Sequence, residues 1–124
     1  MGQSLKPTAL VVEDDRDQRA LVGALLEECD VKVVECETGE AAAVAMEHLR
    51  DTLVFIFVDV NLAGLMNGVE LAALARQTLP HVAVVVTSGG NVPEMPPDTV
   101  FMQKPWRALD LLRVAESARP ERLC

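Results

Sequence analysis

Leu53-Val54-Phe55-Ile56-Phe57-Val58 is the stretch that decides the fold. Every position is apolar, so both alternating faces of a strand built from it need covering. Such a strand reads as the centre of a parallel sheet with helices on either side. Working outward, four other β-branched runs share the chain with it: Ala9–Val12, Val31–Cys36, Val82–Val86 and Thr99–Met102. Between them apolar residues recur at helical spacing. Val22, Leu25, Leu26 and Cys29 make one stripe, and Ala42, Ala45, Met46 and Leu49 a second. Leu71, Leu74 and Ala75 mark a third helix that stops before Pro80; Ala108, Leu111, Leu112 and Ala115 stripe the last. Asp14 or Asp15 is placed to cap the first helix and Thr38-Gly39 to start the second, since a short oxygen side chain can accept from free helix amides.

One crossover departs from this rhythm. Asn91-Val92-Pro93-Glu94-Met95-Pro96-Pro97-Asp98 carries three prolines in eight residues, and each removes an amide donor and clashes with the preceding turn. The count is therefore five strands and four helices, the last crossover being mostly loop. Alternating strands and helices with right-handed crossovers give a doubly wound α/β sandwich. Strand order 2-1-3-4-5, the flavodoxin-like arrangement, is the solution expected here.

Length and charge narrow the function. At 124 residues the chain is the size of one domain, which peak near roughly 100–150 residues. Half the residues are hydrophobic and 24% charged, the balance of a globular chain and not of a disordered tail. Nineteen acidic residues against eleven basic ones give a net charge of −8. That balance repels phosphate backbones and anionic lipid, so neither nucleic acid nor a membrane surface is an expected partner. No apolar run approaches the roughly 18 residues of a membrane-spanning helix, and Met1–Thr8 is no signal peptide. Three cysteines (Cys29, Cys36, Cys124) are an odd number without metal-ligand spacing, and reduced thiols in the cytoplasm are the expectation.

In an open parallel sheet, ligands bind beyond the carboxyl ends of the strands. Four strands here end in particular chemistry: Glu13-Asp14, Asp59, Thr87, and the residues just before Lys104. Like charges about 4 Å apart cost about 4 kcal/mol per pair at an effective dielectric of about 20. Glu13, Asp14 and Asp59 together therefore call for positive charge. Lys104 supplies part of it, and a hard divalent cation such as Mg²⁺ would supply more, with the Asn61 carbonyl as a further oxygen ligand. A carboxylate such as Asp59 can also act as a nucleophile toward phosphorus. Mg²⁺, Lys104 and Thr87 are the three kinds of donor that would neutralise a transferred phosphoryl group. Singly, each has a plainer explanation: an acidic helix cap, a strand-end threonine, a surface lysine.

Taken in order, Val11-Val12-Glu13-Asp14-Asp15, Val58-Asp59-Val60-Asn61-Leu62, Asn67-Gly68, Val86-Thr87-Ser88-Gly89 and Lys104-Pro105 resemble a response-regulator receiver domain of two-component signalling. The resemblance runs from about Thr8 to Ala118, and the expected organisation is a single receiver domain over 1–124 with its core at about 8–118. It implies that Asp59 is the phosphoacceptor, taking its phosphoryl group from a sensor histidine kinase or a histidine phosphotransfer protein. It implies a Mg²⁺ ligand in Asp14, with Glu13 nearby or acting through water, and a carbonyl ligand in Asn61. Thr87 would bond a phosphoryl oxygen after swinging inward, Lys104 would bind another, and the Lys104–Pro105 bond would be cis. Phe101 matches the aromatic switch position coupled to the threonine. Such a chain is not an enzyme beyond catalysing its own phosphotransfer and autodephosphorylation.

The sequence departs from the family pattern in three places. The Asp59–Gly68 loop is one residue longer than the commonest receiver pattern, the Thr87–Lys104 segment is shorter by several residues, and Phe101 lacks the hydroxyl of the more common tyrosine. The shortened segment removes much of a face that receivers use to dimerise, so a monomer or weak dimer is expected. Because the sequence stops at Cys124, the reading is a stand-alone receiver or one excised from a larger protein. A flavodoxin-like small-ligand module remains a competing reading, although few aromatics and an acidic first loop disfavour a flavin or phosphate cradle. A pseudo-receiver that is never phosphorylated is another. An aspartyl phosphatase would want a second carboxylate where Asn61 stands.

Overall fold

The alternation of runs and stripes folds as the periodicity predicts. The computed structural model describes residues 6–118. In chain order the elements are β1 (Thr8–Val12), α1 (Arg16–Glu27), β2 (Lys32–Cys36), α2 (Gly39–His48), β3 (Leu53–Asp59), α3 (Gly68–Thr78), β4 (Ala83–Ser88), β5 (Val100–Gln103) and α4 (Ala108–Ala118). The five strands form one sheet in the order β2-β1-β3-β4-β5, all parallel. β3 lies at the centre, and Phe55, Ile56, Phe57 and Val58 are all fully buried. This is the flavodoxin-like receiver fold, with four helices and none between β4 and β5.

Strand alternation sorts the core into two halves. On one face Leu10, Val12, Ile56, Val58, Val84 and Val86 pack against Ala42 and Met46 of α2 and Leu71, Ala72 and Ala75 of α3. On the other, Val11, Phe55, Phe57, Val85 and Met102 pack against Val22 and Leu26 of α1 and Leu111 and Ala115 of α4. In the stretch 89–99 the prolines leave bends and a turn in place of a helix, and the Thr99 hydroxyl donates to the Pro96 carbonyl at 2.7 Å. Met95 from this segment and Phe101 of β5 pack against the α2–α3 half of the core.

Caps form where the short polar residues stand. The Asp15 carboxylate accepts from the Gln18 amide at 2.9 Å, and the Thr38 hydroxyl from the Ala41 amide at 3.0 Å. Asn67 and Glu70 exchange amide bonds in a capping box that starts α3. The first stripe overshoots its helix: α1 ends at Glu27, and buried Cys29 sits beyond it, its amide donating to the Leu26 carbonyl. Cys36 is a free thiol as expected, whereas Cys29 is in a disulfide, a departure from the reduced-thiol reading. Cys124 lies outside the described residues. Among those residues, no helix is long and apolar enough to cross a membrane.

Candidate functional site

The carboxyl ends of β1, β3, β4 and β5 meet at one rim, held in register by the sheet. Asp59 pairs with Thr87, and Thr87 with Met102. Backbone bonds continue past the strand ends: the Val60 amide donates to the Thr87 carbonyl and the Lys104 amide to the Ser88 carbonyl, each at 2.9 Å. Glu13 is anchored the same way through the Cys36 carbonyl at 3.0 Å. The rim is thus an extension of the ladder, and its side chains inherit the sheet's rigidity.

Glu13 and Asp59 are buried there, 2% and 4% exposed. Lys104 reaches between them. Its ammonium donates to Asp59 Oδ2 at 2.5 Å and lies 3.5 Å from Glu13 Oε1. The Lys104–Pro105 bond that turns the chain into this position is cis. Asp59 Oδ1 accepts from the Asn61 amide at 2.8 Å, and Glu13 Oε2 from the Asp15 amide at 3.0 Å. Burial pushes the Glu13 carboxyl up to about 7, against the pull of the Asp15 amide, and the neighbouring Asp59 carboxylate adds to the rise. Burial also works against the Lys104 charge, but the Asp59 and Glu13 carboxylates outweigh it and hold the ammonium above its ordinary range.

The other expected site residues are distributed around this centre. Asp14 and Asn61 stand exposed at the rim. Thr87 is fully buried beside Asp59; its hydroxyl donates to the Met102 carbonyl at 2.7 Å and accepts from the Trp106 indole N–H at 3.2 Å. Phe101 is on the opposite face of β5 from Met102, half-buried in the α2–α3 half of the core. Among the described residues no three acidic, histidine or cysteine side chains are drawn together closely enough to hold a cation by themselves.

Four contacts were not legible in the strand-end pattern. The Gln18 amide oxygen accepts from the Lys104 ammonium at 2.9 Å. Arg19 donates to the Glu13 carbonyl at 2.8 Å and pairs with Glu35 at 3.3 Å, bracing the first acidic turn against β2. Glu40 accepts from the amides of Leu65 and Met66, pinning the loop after β3 to the start of α2. Trp106 is the fourth, and its only advance signal was its place as the one tryptophan in the chain, two residues past Lys104.

Buried acids facing a lysine at the carboxyl rim of a doubly wound parallel sheet define a class, the receiver-type signalling domains. The response regulator receiver domain model matches residues 9–111, and the chain belongs to that family. A cyclic di-GMP phosphodiesterase of Thermotoga maritima is 33% identical over 113 residues, which are 86% of this chain and 29% of that protein. The chain therefore spans under a third of the length of that curated relative. Among solved structures, a response regulator receiver domain protein from Clostridium thermocellum superposes with a TM-score of 0.81 at 19% identity, covering 90% of this chain and 93% of its own. The receiver domain of NtrX from Brucella abortus gives a TM-score of 0.77 at 27% identity, covering 89% and 96%.

Proposed function

We propose that the chain is a single receiver domain, core about 8–118, whose Asp59 accepts a phosphoryl group from a phosphohistidine. The donor is a sensor histidine kinase or a histidine phosphotransfer protein. One observation carries the reading: Asp59 is buried at the rim with one carboxylate oxygen on Lys104 at 2.5 Å and the other on the Asn61 amide at 2.8 Å. An Asp59 oxygen attacks phosphorus, the P–N bond of the phosphohistidine breaks, and its electron pair returns to the leaving imidazole. Lys104 stays with the phosphoryl oxygens as the phosphoryl group moves onto the aspartate, and Thr87 turns its hydroxyl toward another of them. Thr87 and Phe101 are the proposed switch pair.

The donor set suits a hard cation: two buried carboxylates with one ammonium between them, and a Glu13 carboxyl raised by burial and by the neighbouring Asp59 carboxylate. Glu13, Asp14, Asp59 and the Asn61 carbonyl would hold Mg²⁺. When bound it supplies charge neutralisation to the phosphoryl oxygens. The output is a shift between two conformations around Thr87, and the chain catalyses only its own phosphotransfer and autodephosphorylation. A net charge of −8 favours a protein partner over nucleic acid or membrane.

Incubation with acetyl phosphate and Mg²⁺ tests this by intact mass. The expected result is a gain of one phosphoryl group, absent without Mg²⁺ and absent in Asp59→Asn. No gain in the wild-type protein returns the pseudo-receiver or the small-ligand module as the better reading.

A further inference from the structure

We propose that Trp106 is a positioning residue for the phosphorylation switch, its indole N–H holding the Thr87 hydroxyl in the resting orientation. The inference rests on the reading of Asp59 as phosphoacceptor and deepens it. A threonine hydroxyl has one proton to give and two lone pairs. In Thr87 that proton goes to the Met102 carbonyl at 2.7 Å, and a lone pair takes the Trp106 N–H at 3.2 Å. Phosphoryl oxygens only accept. For Thr87 to bond one, its proton must leave Met102 and its oxygen must turn toward Asp59, away from the indole.

The sheet decides which aromatic feels that turn. Thr87 is in register with Met102, so it shares the face of β4 that carries Val85 and packs with Phe57. Trp106 packs on this face too, edge-on to Phe57 with ring centroids 5.7 Å apart and planes at 78°. Phe101 is in register with Val86, on the other face. Coupling from Thr87 to Phe101 has to pass through the strand backbone, while Trp106 touches the hydroxyl directly. The indole also walls a cleft of about 250 Å³ with Gln18, Leu21, Lys104 and Pro105. Release of its N–H is thereby felt at the molecular surface beside Lys104.

Beryllofluoride with Mg²⁺, followed by fluorine NMR and by the emission of the single tryptophan, separates this inference from the reading beneath it. In the wild-type protein emission shifts as beryllofluoride binds. Thr87→Val, which keeps the shape and removes the hydroxyl, already emits at rest as the bound wild-type protein does and does not respond further. Trp106→Phe keeps the packing on Phe57 and deletes the N–H; it binds beryllofluoride about two- to tenfold more tightly, the worth of one neutral hydrogen bond in the resting state. Binding that is lost in Asp59→Asn, with unchanged wild-type emission and equal affinity in Trp106→Phe, overturns the role of Trp106 and leaves the phosphoacceptor standing. No binding in the wild-type protein overturns both. If Trp106→Phe does not fold, the emission of the wild-type and Thr87→Val proteins decides.

Discussion

Glu13 and Asp59 share one buried corner with a single ammonium, and the balance of charge there governs how the site responds to pH. In the metal-free protein the Glu13 carboxyl holds its proton up to about 7, whereas the unfolded chain releases it near 4.5. Between those values the folded state binds more protons than the unfolded one. Stability attributable to Glu13 therefore falls as pH rises through that window and levels off above it. Urea midpoints in EDTA between about pH 5 and about pH 8 should decline in wild type and stay flatter in Glu13→Gln. Lys104→Met removes the ammonium and leaves both acids short of a partner. It should cost about 1–3 kcal/mol at alkaline pH and less in acid, where Glu13 is protonated; an equal cost at both would show that the lysine contributes packing alone.

The loop between β3 and α3 is where backbone geometry protects the site. Gly68 opens α3 with its amide on the Val60 carbonyl at 2.9 Å, so close that a Cβ there would stand 2.1 Å from the Asp59 carbonyl oxygen. Gly68→Ala must push the Asp59 backbone aside, and we expect a loss of about 3 kcal/mol or more in unfolding free energy. At the far side of the loop the Glu40 carboxylate is held below its usual range by backbone amides, its own first and then those of Leu65 and Met66. Gly64, at φ +94, passes so near that a Cβ would meet Glu40 Oε1 at 2.6 Å. Glu40→Ala frees those amides, so hydrogen exchange at Leu65 and Met66 should rise while exchange in β3 is unchanged. The same carboxylate leaves Leu65 standing 95% exposed on a fastened loop.

Across the molecule as a whole, the proposed cation site would couple folding to Mg²⁺, because Glu13 and Asp14 lie just past β1, Asp59 ends β3 and Asn61 follows it, and they meet only in the native state. Binding to the folded state alone adds about 2.7 kcal/mol at about 100 times the dissociation constant. Mg²⁺ should therefore raise the melting midpoint of the wild-type protein by several degrees, and Asp14→Ala should lose most of that rise. An unchanged melt in both proteins would count against the cation site. The prolines at 93, 96 and 97 matter at this level too: they remove the helix that would have covered the β4–β5 side, leaving β5 as a short edge strand of four residues with Val100 exposed.

What the sequence determined was whatever depends on local spacing. Strand alternation, the helical stripes, the caps at Asp15, Thr38 and Asn67, and the loss of a helix at the prolines all arise within a few residues of chain. The order of acids, threonine and lysine at strand ends was legible too, because a parallel sheet puts every carboxyl end on one rim. Only the tertiary structure decided which side chains touch there. Lys104 bonds Gln18, Thr87 faces Trp106 and not Phe101, and Glu40 clasps a loop some 25 residues away. Those contacts depend on register between strands distant in sequence and on which face each side chain takes, and a shift of one residue would reverse every facing.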